Sequence, residues 1–258
     1  MIRIERTVVG VRAALANRGE IGLVPTMGAL HDGHTSLLRA ARPTCDTLVA
    51  SVFVNPAQFD DPADLDRYPR DLERDVALAE EHGVDVVFAP TADELYPPGF
   101  ATWVVPEGAA VGLEGDHRPG HFRGVATVCV KLFMIVRPRL AWFGRKDAQQ
   151  VAVLKQLIRD LNLEVEIRVC DTVRDPDGLA LSSRNARLSP EERERALAIP
   201  RALRTGDPDL AHAVLAEAGI EPEYLALADL DGPTLAVAAR VGSTRLIDNI
   251  LLARKEHA

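Results

Sequence analysis

The chain alternates short, uninterrupted apolar runs with stretches whose apolar residues recur every three or four positions. Ile21-Gly22-Leu23-Val24, Thr47 to Val54 and Asp85-Val86-Val87-Phe88 are continuous runs of strand length, the pattern of strands buried on both faces. Between them, Thr7 to Asn17 (closed by Gly19), the stretch from Thr35 to about Pro43, and Asp71 to His82 with Gly83 as C-cap carry helical periodicity. Gly124 to Val136 then predicts a helix that stops before Pro138, Leu140 to Phe143 a strand, Asp147 to Leu161 a helix and Glu164 to Val169 a last strand. Such a βαβ series implies an α/β fold: a mainly parallel sheet covered on both faces, with ligands at the carboxyl ends of its strands.

The pattern changes after Asn185. Ser189 to Arg204 is helical and rich in Ala, Glu and Arg; a link at Gly206–Pro208 and a helix to Ala218 follow. Three strand-like pieces, Tyr224–Ala228, Leu235–Val241 and Arg245–Ile250, finish the chain. This reads as a smaller C-terminal α+β domain. No internal repeat or low-complexity segment interrupts either part.

Composition narrows the class without choosing a function. At 258 residues, one large or two unequal domains are expected. With 47% hydrophobic and 26% charged residues the chain resembles an ordinary soluble enzyme. Its formal net charge of -8 argues against bulk binding of nucleic acid, though not against a local basic pocket. Met1 to Arg6 contains no apolar signal core, and the run from Val125 to Val136, broken by Lys131, is too short to span a bilayer. Cys45, Cys129 and Cys170 are odd in number and far apart, with no CxxC, so reduced thiols in a cytoplasmic protein are expected and a zinc site is not.

Candidate chemistry concentrates where strands end. Pro25 to His34 reads PTMGALHDGH, directly after an apolar strand and before a helix. Strand, glycine-bearing turn and helix start is the geometry that sets backbone N–H groups against a phosphate. His31 and His34 either cap that helix or add donors toward a bridging oxygen or a leaving pyrophosphate. Their position after the strand favours the second role, so a nucleoside triphosphate is expected here. Asn55 and Gln58 follow the next strand, where amides either orient a small polar substrate or form a simple Asn-Pro turn.

A second strand-to-helix passage reads FGRKDAQQ from Phe143 to Gln150. Gly144 permits close backbone approach, Lys146 offers a point charge to a phosphate, and Asp147 either accepts from a ribose hydroxyl or caps the helix. Leu181-Ser182-Ser183-Arg184-Asn185 gathers two hydroxyls and a guanidinium in a loop, a set that suits a polyphosphate and also passes for an ordinary turn. Arg118 to Gly124 opens the apolar helix with two arginines and a histidine, as a site cap or a helix cap. The acidic run from Asp60 to Asp66 is a solvated loop or a lid beside Gln58.

Taken in order, these stretches resemble the pantoate–β-alanine ligase (pantothenate synthetase) family. The resemblance is carried by PTMGALHDGH at 25–34, SVFVNPAQF at 51–59, DLDRYPR at 64–70, RPGHFRGVATV at 118–128, FGRKDAQQ at 143–150, VRDPDGLALSSRN at 173–185 and TRLIDN at 244–249. HxGH alone would point only to the wider nucleotidylyl-transferase superfamily. The resemblance implies a Rossmann-like, doubly wound domain over residues 1–173, a smaller lid domain over 174–258, and a cytoplasmic homodimer. It also implies ATP with Mg²⁺ as cofactors, pantoate and β-alanine as substrates, a pantoyl-adenylate intermediate and a place in coenzyme A biosynthesis. Neither nucleic acid nor membrane is an expected partner.

Carried over position by position, Met27, Gly28, Ala29, Leu30, His31, Asp32, Gly33 and His34 would line the ATP site, with His34 as proton donor. Gly144, Arg145, Lys146 and Asp147 would take the nucleotide, Asp147 and Gly144 at the ribose and Lys146 at the phosphates. Val173 would meet adenine, and Leu181, Ser182, Ser183 and Arg184 would close over the phosphates. Gln58 and Gln150 would hold pantoate, with Gln58 near β-alanine and Asn55 close by. His31, His34, Lys146 and Arg184 form the expected catalytic set; metal ligands are not assigned. Four departures stand out: Arg145 where the family usually has Glu, Ala148 where an aromatic is common, Arg74 where an acidic residue is frequent, and a shortened stretch from about Arg204 to Ala213. A sister nucleotidylyl transferase would lack the amides at 55, 58 and 150, and an idle homologue would be expected to have lost His34 or Lys146.

Overall fold

The computed structural model describes residues 2–253. Elements follow in the order β1 (Arg3–Glu5), α1 (Val8–Leu15), β2 (Ile21–Thr26), α2 (Asp32–Ala41), β3 (Thr47–Val52), α3 (Pro62–Asp66), α4 (Leu72–Glu81) and β4 (Val86–Phe88). Then come α5 (Ala92–Leu95), α6 (Glu114–His117), α7 (His121–Val136), β5 (Leu140–Gly144), α8 (Ala148–Asp160) and β6 (Glu166–Cys170). The last part holds α9 (Pro190–Ala196), α10 (Ala198–Leu203), α11 (Pro208–Glu217), β7 (Pro222–Asp229), β8 (Pro233–Val241) and β9 (Thr244–Leu251). The chain divides into two compact units, one running to Phe143 and taking in Val153–Cys170, the other made of Gly144–Ala152 and the residues from Asp171.

In the first unit six strands lie in the order β1-β4-β3-β2-β5-β6. The pairs β1/β4, β4/β3, β3/β2 and β2/β5 are parallel. The predicted α/β architecture is therefore the one observed. β2 and β3 are buried along nearly their whole length, as their unbroken apolar runs require. Leu37, Leu38, Ala41 and Ala79 pack with strand residues Val24, Leu48 and Val87 in one apolar cluster. Because β3 lies on one side of β2 and β5 on the other, the strand order reverses at β2, and the crevice beyond its carboxyl end is the place such sheets bind ligands.

In the second unit β7, β8 and β9 form an antiparallel sheet with β8 in the middle. Ile199, Leu203, Leu215 and Ile220 pack on Leu235, Val237 and Val241 of β8.

Short helices α3, α5 and α6 are not expected from the sequence pattern, and three further differences have a clear physical cause. β1 has no counterpart in the sequence pattern, because three residues of mixed polarity carry no period; it is held by its parallel pairing with β4. The helix expected over Ser189–Arg204 is broken at Leu197 into α9 and α10. Pro200 has no N–H for the carbonyl of Ala196, and its ring crowds that carbonyl. Finally, α2 begins at Asp32 instead of Thr35, for a reason that lies in the two histidines. No helix among the described residues is long and apolar enough to cross a membrane, and the three cysteines are free thiols.

Candidate active site

The turn that leaves β2 is held in a conformation few side chains tolerate. Gly28 has φ +82 and Ala29 φ +51. A Cβ on Gly28 would sit 2.8 Å from Asp75 Oδ2, so this position takes glycine on both counts. Gly28 N donates to Thr26 Oγ1 at 3.1 Å. The next two amides are taken by Asp75 of α4, with Ala29 N to Oδ2 at 2.9 Å and Leu30 N to Oδ1 at 2.7 Å. Asp75 is 1% exposed. Burial raises its carboxyl above the ordinary range, and the two backbone donors partly offset that rise.

His31 and His34 begin the helix that follows. Gly33 N donates to His31 Nδ1 at 3.1 Å, and His31 N donates to His34 Nδ1 at 3.3 Å, a reciprocal capping box. The rings lie 4.1 Å apart between centroids. A backbone N–H can only donate, so both Nδ1 atoms are acceptors and each neutral ring carries its proton on Nε2. Capping and chemistry are thus compatible: the δ nitrogens satisfy the helix start, and the ε nitrogens are N–H donors at its positive end.

Asn55 and Gln58 belong to the same unit. Asn55 Nδ2 donates to Gln58 Oε1 at 2.9 Å and to Gly124 O at 3.1 Å, and Gln58 Nε2 lies 3.1 Å from Met27 Sδ. The amide pair predicted after β3 is therefore brought against the first residue of the β2 turn. His121 Nδ1 and Arg118 Nη2 both reach Gln58 O, at 2.9 and 3.4 Å. Those two residues, for which the sequence allows a site cap or a helix cap, hold the Gln58 backbone in place. The Asp60–Asp66 run contains the short helix α3, capped by Asp61.

The remaining predicted residues lie in the second unit. Arg145–Asp147 form a single 3-10 turn between β5 and α8. Asn249 Nδ2 donates to both Arg145 O and Lys146 O, at 2.9 and 2.8 Å. Arg145 pairs with Asp231 Oδ2 at 3.1 Å, Lys146 Nζ is 3.9 Å from Asp147 Oδ1, and Gln150 is half-buried in the first turn of α8. Val173 to Arg184 double back on themselves: Leu181 N donates to Val173 O at 2.9 Å, and Arg174 bridges to Ala180. Ser182 Oγ accepts from Arg184 N at 3.2 Å, opening a 3-10 turn over Ser183–Arg187. Arg174 grips Asp248 through two bonds of 2.6 and 3.0 Å. Consecutive residues of β9, Asp248 and Asn249, thus pin both stretches.

Asp75, Asn249 and Tyr96, whose hydroxyl donates to Asn55 Oδ1 at 2.9 Å, are site-building residues that sequence reasoning missed. Asp75 had a signal, since it falls on the apolar stripe of α4 beside Leu72, Val76 and Ala79, where a carboxylate needs buried partners. No group of three or more His, Cys, Asp or Glu suited to holding a metal occurs among the described residues.

A parallel sheet that reverses at β2, with a histidine-capped helix start at that strand's carboxyl end, defines a nucleotide-handling α/β protein. The comparisons give the family. A model described as Pantoate-beta-alanine ligase matches residues 3–251. The pantothenate synthetase of Roseiflexus castenholzii is 50% identical over 276 aligned positions, covering 97% of this chain and 99% of that protein. That of Acidobacterium capsulatum is 52% identical over 90% of this chain and 86% of its own. Among solved structures, pantothenate synthetase from Thermus thermophilus superposes with a TM-score of 0.89 at 46% identity, covering 96% of this chain and 99% of that one. The Francisella tularensis pantoate-beta-alanine ligase, complexed with Beta-gamma ATP and Beta-alanine, also gives 0.89, at 36% identity over 97% and 98%. This chain belongs to the pantoate–β-alanine ligase family.

Proposed function

We propose that this protein condenses pantoate with β-alanine to form pantothenate, using ATP and releasing AMP and pyrophosphate. The reading rests above all on the His31–His34 cap at the carboxyl end of β2, in a chain whose family membership spans residues 3–251. In the first step the pantoate carboxylate attacks the α-phosphorus; the bond to the bridging oxygen breaks, and pyrophosphate leaves. In the second, the β-alanine amine attacks the acyl carbon of pantoyl adenylate, loses a proton and expels AMP. The nucleophilic oxygen of the first step already carries its charge, so the protein's task is positioning and charge neutralisation.

The assignment of roles follows from donor chemistry. The Nε2–H groups of His31 and His34 would donate to the phosphates as charge builds toward the leaving group. Lys146 and Arg184 would supply fixed positive charge and Ser182 and Ser183 hydroxyl donors, while Gly144, Asp147 and Val173 would hold the nucleoside. Gln58 and Gln150 would orient pantoate. Mg²⁺ is proposed as part of the ATP substrate, carried on its phosphates, which is how this ion commonly enters such sites. The lid role of residues 174–258, the homodimer and the cytoplasmic location belong to the same proposal.

The test is product release from ATP, Mg²⁺ and pantoate, with and without β-alanine. AMP that appears only with β-alanine, together with pantothenate, is the expected result. A stable nucleotidyl product without AMP would instead place the chain among the sister transferases.

A further inference from the structure

The amide of Asn55 has no freedom of orientation. Ala57 N, which can only donate, lies 3.3 Å from Oδ1, and Gly124 O, which can only accept, lies 3.1 Å from Nδ2. Oδ1 also takes the Tyr96 hydroxyl at 2.9 Å, and Nδ2 also serves Gln58 Oε1 at 2.9 Å. Two acceptor and two donor valences exhaust a carboxamide, and Asn55 is 1% exposed. The polarity of its neighbour is thereby set. Gln58 turns its oxygen inward, and its Nε2 faces Met27 Sδ, a weak acceptor that a ligand oxygen can displace. Burial raises the Tyr96 phenol well above its ordinary value, so the hydroxyl remains a donor across the working pH range.

We infer that Tyr96 is a positioning residue: with Ala57 N and Gly124 O it fixes the Asn55 amide, which holds Gln58 with the Nε2 donor outward, so this subsite selects a ligand oxygen that accepts a hydrogen bond. The inference deepens, and rests on, the assignment of pantoate to Gln58. Pantoate offers a carboxylate and two hydroxyls, all of them acceptors. A ligand presenting an N–H at this point would be refused, because two donors would then face each other.

The test uses the full chain with Tyr96→Phe and Gln58→Glu. Tyr96→Phe is expected to raise KM for pantoate about tenfold, the scale of one hydrogen bond, with KM for ATP unchanged. Gln58→Glu keeps an acceptor toward Asn55 but turns a carboxylate outward, so pantoate affinity should fall about a hundredfold at pH 8. It should partly return near pH 5, where the protonated acid again offers a donor. Equal losses for both substrates in Tyr96→Phe, or parental pantoate affinity of Gln58→Glu at pH 8, would overturn the inference. A readout without pantoate separates it from the functional reading. In unfolding experiments the Tyr96→Phe/Asn55→Ala pair should lose less Tm than the sum of the singles. Strict additivity would refute the relay even in an active ligase, whereas clear coupling in a protein that never turns over pantoate would refute only the substrate.

Discussion

Leu30 N donates to Asp75 Oδ1 at 2.7 Å, so a carboxylate on α4 completes the hydrogen bonding of the turn after β2. The second oxygen takes Ala29 N at 2.9 Å, and Ala29 itself sits at φ +51. Removing Asp75 would leave two backbone donors without their partner beside a residue already in a disfavoured conformation. Asp75→Ala should therefore cost about 2–4 kcal/mol of stability and raise KM for ATP. Chemical unfolding and substrate titration check both; a variant as stable as the parent would show that the turn holds itself.

The same carboxyl gives a pH dependence with a definite sign. Burial, opposed by the Leu30 and Ala29 amides, raises Asp75 above its ordinary value of 3.8. The folded chain then holds a proton that the unfolded chain has released, and stability linked to this group is whole below the unfolded value. It is lost as pH rises through the raised folded value. Asp75→Asn does not titrate, so the stability gap between parent and variant should narrow as pH is raised from about 4. Urea unfolding across that window measures it, and a widening gap would contradict the shift.

In the second unit Asp248 is 3% exposed and receives both guanidinium nitrogens of Arg174. Its Oδ1 also accepts from Asn249 N at 2.8 Å. Truncating one partner leaves the other charge poorly compensated, so Asp248→Ala should cost about 3–5 kcal/mol. The 173–181 loop should loosen with it. A fall in Tm with faster amide exchange at Leu181 is the expected pair of results; loss of one without the other would mean that Arg174 does not tie the loop to β9.

Much of this architecture is legible in the sequence because buried strands and amphipathic helices write different periods. Hence β2 to β6 and the long helices can be read from the chain alone, and the Pro25–His34 turn located. What cannot be read depends on contacts between distant residues. Gly124 looks like one residue of an apolar helix, yet a Cβ there would run into Ala57 O, which is why α7 can approach the Asn55 turn. Asn249 sits in a quoted motif without a role, because nothing in the text of β9 reveals that its amide reaches the carbonyls of Arg145 and Lys146. Pro200 accounts for the split of α9 from α10, but the helix-favouring Ala, Glu and Arg on either side of it hide the break in the sequence.

Arg145 Nη2 lies 3.1 Å from Asp231 Oδ2, so its charge is matched locally. Their side chains are 18% and 23% exposed, which places the pair between a solvated ion pair and a buried one. Arg145→Glu would set two carboxylates against each other beside Lys146. Its Tm should fall, and adding Asp231→Arg should recover most of the loss, with a coupling of about 1 kcal/mol. Additive effects across that cycle would mean that the pairing contributes nothing.

The capping box allows the two duties of His34 to be separated. Its Nδ1 accepts from His31 N at 3.3 Å, whereas any contact with phosphate falls to Nε2. An asparagine places an oxygen near the Nδ1 position but has nothing at Nε2, so His34→Asn should keep the helix start while deleting the donor. Its Tm should stay close to that of the parent, and single-turnover formation of pantoyl adenylate should slow about a hundredfold, the usual scale for one charge-stabilising donor. His34→Ala should lose both, with a lower Tm and the same chemical defect. Near-parental adenylation by His34→Asn would sink the proposed role of this histidine and leave it a cap. A large fall in Tm for His34→Asn would show instead that the imidazole, and not simply an acceptor at that position, is what the helix start requires.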